Sequence, residues 1–327
     1  MKIINKLKEY RVFLITLLVA VIIFNVRLPY YVMAPGGVIE LNKRISINEE
    51  SKLNGSINML YVSEYDGTIA SLILANVLKE WDIEKIEEQQ VANESVKEIR
   101  KRNEIMLDNS VQNAIFVAYN AASKEISIKN CENIVLATTL DNDLRINDVI
   151  LEVNSEKLEN IERLKEIISE TEVGMVLKLR VLRDDEEIEI NTKVVSQDNR
   201  KVIGVVAVTN CDYELDPKID IKFNNSEGGS SGGLMLALSI YDYLSEEDLL
   251  KGRKIAGTGT IDISGNVGEI DGVKYKLMGA VKNKVDLVFV PVGNYEEALM
   301  VKEKYNYNIE IVEVKTFDDA LDYLQKN

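Results

Sequence analysis

Residues 224–233 read N-N-S-E-G-G-S-S-G-G and run straight into the apolar stretch Leu234, Met235, Leu236, Ala237, Leu238 and Ile240. Glycine at this density lets a backbone turn tightly and approach another group closely, and the apolar run that follows reads as a buried helix. Any fold of this chain must therefore set a serine at the start of a core helix. Unpaired N–H groups and the positive end of the helix dipole favour negative charge there: a phosphate, a carboxylate or the oxyanion of acyl transfer. A phosphate loop would end in Gly-Lys-Ser/Thr, and Ser230-Ser231-Gly232-Gly233 has no lysine. On the loop alone two readings stay open, a tight turn at a helix entry or a nucleophile that needs a base.

Composition decides what that base can be. The chain contains no histidine, which removes Ser-His-Asp and Cys-His arrangements and the commonest zinc ligand. An activated serine would then need a lysine held neutral by desolvation. After the strand-like residues 254–261 and the turn Ser264-Gly265-Asn266, a helix is expected with Leu277, Met278 and Val281 on its apolar face. Lys274 lies three, four and seven residues before these and shares that face. Lys276, followed at the same spacing by Gly279, Ala280 and Asn283, does not. The alternative for Lys274 is a side chain snorkelling from the edge of an amphipathic helix.

These segments, Glu227-Gly228-Gly229-Ser230-Ser231-Gly232 and residues 257–274 ending in Ile270-Asp271-Gly272-Val273-Lys274, resemble the proteolytic domain of Lon-type serine proteases. That family carries a Gly-Pro-Ser-Ala-Gly loop with the nucleophile and an Ile-Gly-Gly-Leu/Val-Lys segment with the base. The resemblance implies Ser230 as nucleophile and Lys274 as base, with Thr258 supporting the lysine. It extends through the strand at residues 286–291 and covers about the last third of the chain. Gly229 and Ser231 stand where the family has proline and alanine, so the loop offers two adjacent hydroxyls and Ser231 stays open as the nucleophile. The resemblance also implies a ring-shaped homo-oligomer.

Upstream, Lys2, Lys6, Lys8 and Arg11 precede an apolar run over residues 12–26, which Leu28 to Val32 with Tyr30 and Tyr31 extend. We expect a retained transmembrane anchor over residues 1–34 with its N-terminus in the cytoplasm, in preference to a cleaved signal peptide. Residues 35–127 are expected as a mixed α/β region outside the cell. It holds a strand over 57–62, a helix over 68–81, a core tryptophan at Trp81, a capping box at Ser95 opening a charged helix, and a second helix over 111–122. The junction 30–37 and residues 113–120 resemble membrane-anchored Lon-like proteases of Gram-positive bacteria.

Residues 128–196 are expected as a β-rich module around one helix. Residues 144–154 resemble the Leu-x-x-Gly-Asp-x-Ile core of bacterial PDZ domains, with Asn147 and Ser155 where that core has glycine. PDZ domains bind extended peptides at a sheet edge; the alternative is a module that merely braces its neighbour. Residues 197–327 then alternate strand and helix as a Lon-type α/β domain. The fold class expected is α+β / α/β multidomain. The net charge of −15 argues against nucleic acid as a partner, and Cys131 and Cys211 are given a structural role. The expected function is an ATP-independent, Ser-Lys serine endopeptidase for unstructured peptides or membrane-proximal segments, with no cofactor and no metal. The competing reading is a non-catalytic, membrane-anchored peptide-binding scaffold.

Overall fold

The computed structural model describes residues 10–47, 54–92, 94–140, 142–245 and 247–327. A six-stranded mixed sheet runs in the order Glu310–Val314, Leu287–Pro291, Lys254–Gly257, Ser56–Thr68, Arg27–Glu40, Asp82–Lys85. The first three pairings are parallel and the last two antiparallel. Strands buried on both faces carry apolar side chains without alternation, as Leu287 to Val290 do. Successive side chains nevertheless point to opposite faces. Ile57, Met59, Ile255 and Phe289 join one core with helices Val96–Ala121, Gly233–Leu244 and Phe317–Lys326. Leu60, Ala256, Val288 and Val290 join another with helices Val273–Lys282 and Val292–Lys304. The helix after the serine loop and the helix of the candidate lysines thus flank one sheet from opposite sides.

The region expected to stand apart as 35–127 is part of this same body. Strands Arg27–Glu40 and Ser56–Thr68 are inner strands of the sheet, and helix Val96–Ala121 packs along helix Gly233–Leu244. That long helix opens on the expected Ser95–Glu98 capping box and then runs unbroken, where the sequence suggested two helices parted at Asp108-Asn109-Ser110. The residues that looked like caps bond elsewhere. Asn109 donates to the Thr209 carbonyl at 2.9 Å and Ser110 Oγ to the Ser230 carbonyl at 3.1 Å. The helix expected over 68–81 is shorter, Ile69–Val77 with a Thr68 capping box, and Trp81 stacks on Tyr65 at 5.5 Å rather than entering a core.

The N-terminal helix is Arg11–Asn25, with almost every side chain exposed. At 1.5 Å per residue it is about 22 Å long, against about 30 Å for a bilayer core. Among the described residues no helix is long and apolar enough to cross a membrane. The expected extension over Leu28 to Val32 is instead strand, with Tyr31 and Val32 buried in the sheet. Lys2, Lys6 and Lys8 lie outside the described residues.

The β-rich module forms its own sheet, in the order Val205–Asp216, Glu125–Thr138, Val149–Val153, Val176–Arg183, Glu186–Lys193, with helix Ile161–Glu170 over a separate core. The sheet also takes in residues beyond the expected boundary at 196, because Val205–Asp216 pairs along the whole of Glu125–Thr138. Asn147 and Ser155, which stand where glycine was expected, take left-handed conformations at φ +73 and +67. The module leaves the main body just after helix Val96–Ala121 and the chain returns at strand Ile219–Ile221, so it is an insertion between two segments of the main body. Cys131 and Cys211 sit opposite each other on its two long strands and form a disulfide, consistent with the structural role expected of them.

Candidate active site

The serine loop is held by its carbonyls and its flanks. Glu227 pairs with Arg44 at 2.6 Å and accepts from the Asn224 amide at 2.7 Å, and the Gly229 amide donates to the Asn103 carbonyl at 2.8 Å. The Ser230 carbonyl accepts from Ser110 Oγ and from the Gly233 amide. The Ser231 carbonyl accepts from Thr258 Oγ1 at 3.0 Å and from the Gly259 amide at 2.8 Å. Among the described residues the amides of Ser230, Ser231 and Gly232 donate to nothing, and they stand at the N-terminal end of a 12-residue helix. Fixed carbonyls and free amides are what an anion site at a helix start requires.

Thr258 was expected to support a lysine. It is 1% exposed, and its hydroxyl donates to the Ser231 carbonyl, which fixes the serine side of the site and leaves its oxygen able to accept. Gly229, matched to the family's proline, has φ +86, and an added Cβ would meet nothing. Proline is locked near −65° and cannot adopt that backbone. Moving the match by one residue, so that Gly229-Ser230-Ser231-Gly232-Gly233 lies on Gly-Pro-Ser-Ala-Gly, removes the conflict and puts the family's serine on Ser231.

The two lysines exchange the places expected of them. Lys274 is at the edge: its side chain is 23% exposed, ion-paired with Asp82 on the outermost strand and set 5.0 Å over the Tyr275 ring. Lys276 is 4% exposed and makes no hydrogen bond or ion pair among the described residues. Burial pulls its ammonium down to about 8, against a partial pull upward from Asp271. The helix Val273–Lys282 is buried nearly all round, and its closest contact is made by its small residues. An added Cβ on Gly279 would lie 3.1 Å from the Gly37 backbone. The face carrying Lys276, Gly279 and Ala280, read from sequence as the one away from the core, is thus pressed against strand Arg27–Glu40. Small residues at i+3 and i+4 were the signal that could have found Lys276.

Lys276 shares two cavities with the loop. One, about 600 Å³, is lined by Met59, Leu60, Tyr61, Gly229, Ser231 and Lys276. The second, about 760 Å³, adds Ser230, Thr260 and Asp271. Ser231 lines both, whereas Ser230 lines the second and a third that leads toward Leu136 and Val208 of the inserted module. The site lies just beyond the end of strand Lys254–Gly257, where the two flanking helices can both reach it. Among the described residues no cluster of metal-ligating side chains is present.

Residues 221–326 match the family described as the Lon protease (S16) C-terminal proteolytic domain, and residues 124–194 match the PDZ domain. The Lon protease of Campylobacter jejuni is 27% identical over 157 residues, which is 44% of this chain and 17% of that protein. That of Helicobacter pylori strain J99 is 28% identical over 163 residues, 49% of this chain and 19% of that protein. The chain thus spans less than a fifth of the length of either relative. The PDZ domain of an SdrC-like protein from Listeria monocytogenes aligns with 25% of this chain and 93% of its own at 17% identity, with a TM-score of 0.24, too low to carry an argument. The chain carries a Lon-type (S16) serine protease domain with a PDZ domain inserted before its matched C-terminal segment.

Proposed function

We propose that this chain is a serine endopeptidase whose nucleophile is Ser231 and whose general base is Lys276. The observation that carries the reading is the burial of Lys276, unpaired and with its proton affinity lowered to about 8, in cavities that Ser231 also lines. Ser231 Oγ attacks the peptide carbonyl carbon as Lys276 Nζ accepts its proton, and the amides at the loop and helix start hold the oxyanion. The C–N bond then breaks, with the lysine proton leaving on the amine. Water, deprotonated by the same lysine, releases the acid and restores the serine. Incubating the full chain in detergent with an unfolded protein and reading products by mass spectrometry should give internal cleavages; their absence at high enzyme concentration would overturn the reading.

Cleavage is proposed to need no nucleotide, since the serine and the lysine between them carry every bond and proton transfer of the reaction. Substrates are then unstructured peptides or membrane-proximal tails. Adding magnesium and ATP should leave the rate unchanged.

We further propose attachment to the outer surface of the cell membrane. Support comes from the bare apolar helix Arg11–Asn25 and from a second apolar helix that starts beside its end. Arg27 pairs across strands with Thr68, the cap of helix Ile69–Val77, which exposes Ile73 by 59% and Val77 by 71%. Exposed apolar area on this scale favours a lipid surface. The Cys131–Cys211 disulfide suits an oxidising compartment. The full chain should float with lipid vesicles, and a Leu14→Asp/Leu18→Asp variant should not, since both side chains are exposed. Equal flotation of the two would refute attachment through this helix.

A further inference from the structure

The 760 Å³ cavity that opens on Ser231 and Lys276 has two unlike parts. Part of its wall is apolar and pliable, with Met33, Val62 and Met106. Part is acidic: Glu84 comes from strand Asp82–Lys85, Glu88 from the helical turn Ile86–Gln89, and Glu269 and Asp271 from the segment before the lysine helix. Cations within the wall do not neutralise these groups. Arg102 is committed to Glu94, at 2.9–3.2 Å through two nitrogens, and to the Gln89 carbonyl at 2.9 Å. Lys276, the buried lysine of the wall, makes no ion pair with them among the described residues. Glu84 is half-buried, and its carboxyl is pushed above the usual range by that burial, with Glu88, Glu64 and Asp82 adding like charge. A hydrogen bond from Gln89 partly offsets this, but no cation pairs with Glu84 or Glu88 among the described residues. A pliable apolar stem site beside such carboxylates is complementary to a long side chain with a cationic head.

We propose that this cavity is a specificity pocket for a lysine or arginine side chain of the substrate beside the scissile bond, with Glu84 and Glu88 receiving the charged head. The inference rests on the endopeptidase reading. It names the substrate class of the site: peptides with a basic residue at one position next to the bond cut, the methylene stem lying along Met33 and Met106.

A peptide series identical except for one residue, placed in turn on either side of the cleaved bond, tests it with the full chain. Lysine and arginine peptides should exceed the norleucine peptide by about 10-fold or more in kcat/KM, the size expected of a charged hydrogen-bonded contact. The advantage should shrink as salt is added. In Glu84→Gln/Glu88→Gln the ratio of basic to norleucine peptides should fall to about one. In Glu84→Lys/Glu88→Lys the preference should turn toward a glutamate peptide, which a merely structural role for these residues would not produce. Cleavage of all peptides at equal rates, or best for norleucine, would overturn the pocket and leave the endopeptidase intact. A basic preference that persists unchanged in both variants would overturn the assignment to Glu84 and Glu88. No cleavage of any peptide would overturn the endopeptidase reading and the pocket with it.

Discussion

Ser231→Ala and Lys276→Ala each abolish peptide cleavage, whereas Ser230→Ala and Lys274→Ala keep it within about tenfold of the parent chain. The expected losses are on the order of 10⁴-fold or more for the nucleophile and about 10²- to 10⁴-fold for the base. Ser230 turns its carbonyl into the protein to accept from Ser110 and Gly233, and it belongs partly to the cavity facing the PDZ module. Ser231 is braced by Thr258 and Gly259 and lines both cavities that Lys276 lines. Lys274, paired with Asp82, docks its helix to the edge strand, so its removal loosens a contact without removing a reacting group. Cleavage lost in Ser230→Ala and retained in Ser231→Ala would return the nucleophile to the residue first suggested by the sequence. Loss in Lys274→Ala with retention in Lys276→Ala would do the same for the base. Thr258→Val should fall between these classes, since it frees the Ser231 carbonyl but removes no reacting atom.

The chemistry was legible before the register was. A chain without histidine that sets serines at a helix start has only lysine to activate them, and that argument needs no structure. The one- and two-residue shifts proposed here rest on packing, where the sequence offered only local pattern. Gly229 seemed to be a substituted proline, and only its positive φ shows that the loop's turn is made there and the serine follows later. Helix Val273–Lys282 was phased by its large apolar residues, yet a helix buried on both sides is phased by whichever face comes closest, and Gly279 against Gly37 fixes that face. The inserted PDZ domain hid the larger fact about the fold. Strand Ser56–Thr68 is separated by almost 200 residues from its parallel neighbour Lys254–Gly257, and no periodicity links segments so far apart. The short exposed helix Arg11–Asn25 shows the opposite limit: apolar composition was read correctly, but the chain's turn into a strand at Arg27 shortened the span.

Lys276→Met should stabilise the folded chain while destroying its activity, and the gain should depend on pH in a direction fixed by the buried amine. The native ammonium titrates at about 8, against 10.5 for an unperturbed lysine. Between those values the unfolded chain holds a proton that the native chain has released, so native stability rises as pH rises through that window. Below about 8 both states are protonated, and the native state bears the whole cost of a buried charge, roughly 3 kcal/mol for a shift of this size. Methionine has a similar unbranched stem and no charge, so near neutral pH it should recover most of that amount, with the gain shrinking toward pH values of about 10.5. Urea midpoints of the two proteins near neutral pH and about two units higher measure the difference directly. The parent's kcat/KM should rise over the lower part of the same range and level off above an apparent pKa of about 8, because the neutral amine is the base. Equal midpoints near neutrality, or a methionine variant that is less stable there, would mean that Lys276 is solvated or paired in the native protein. A base at that position would then have no physical means of being neutral when the serine needs it.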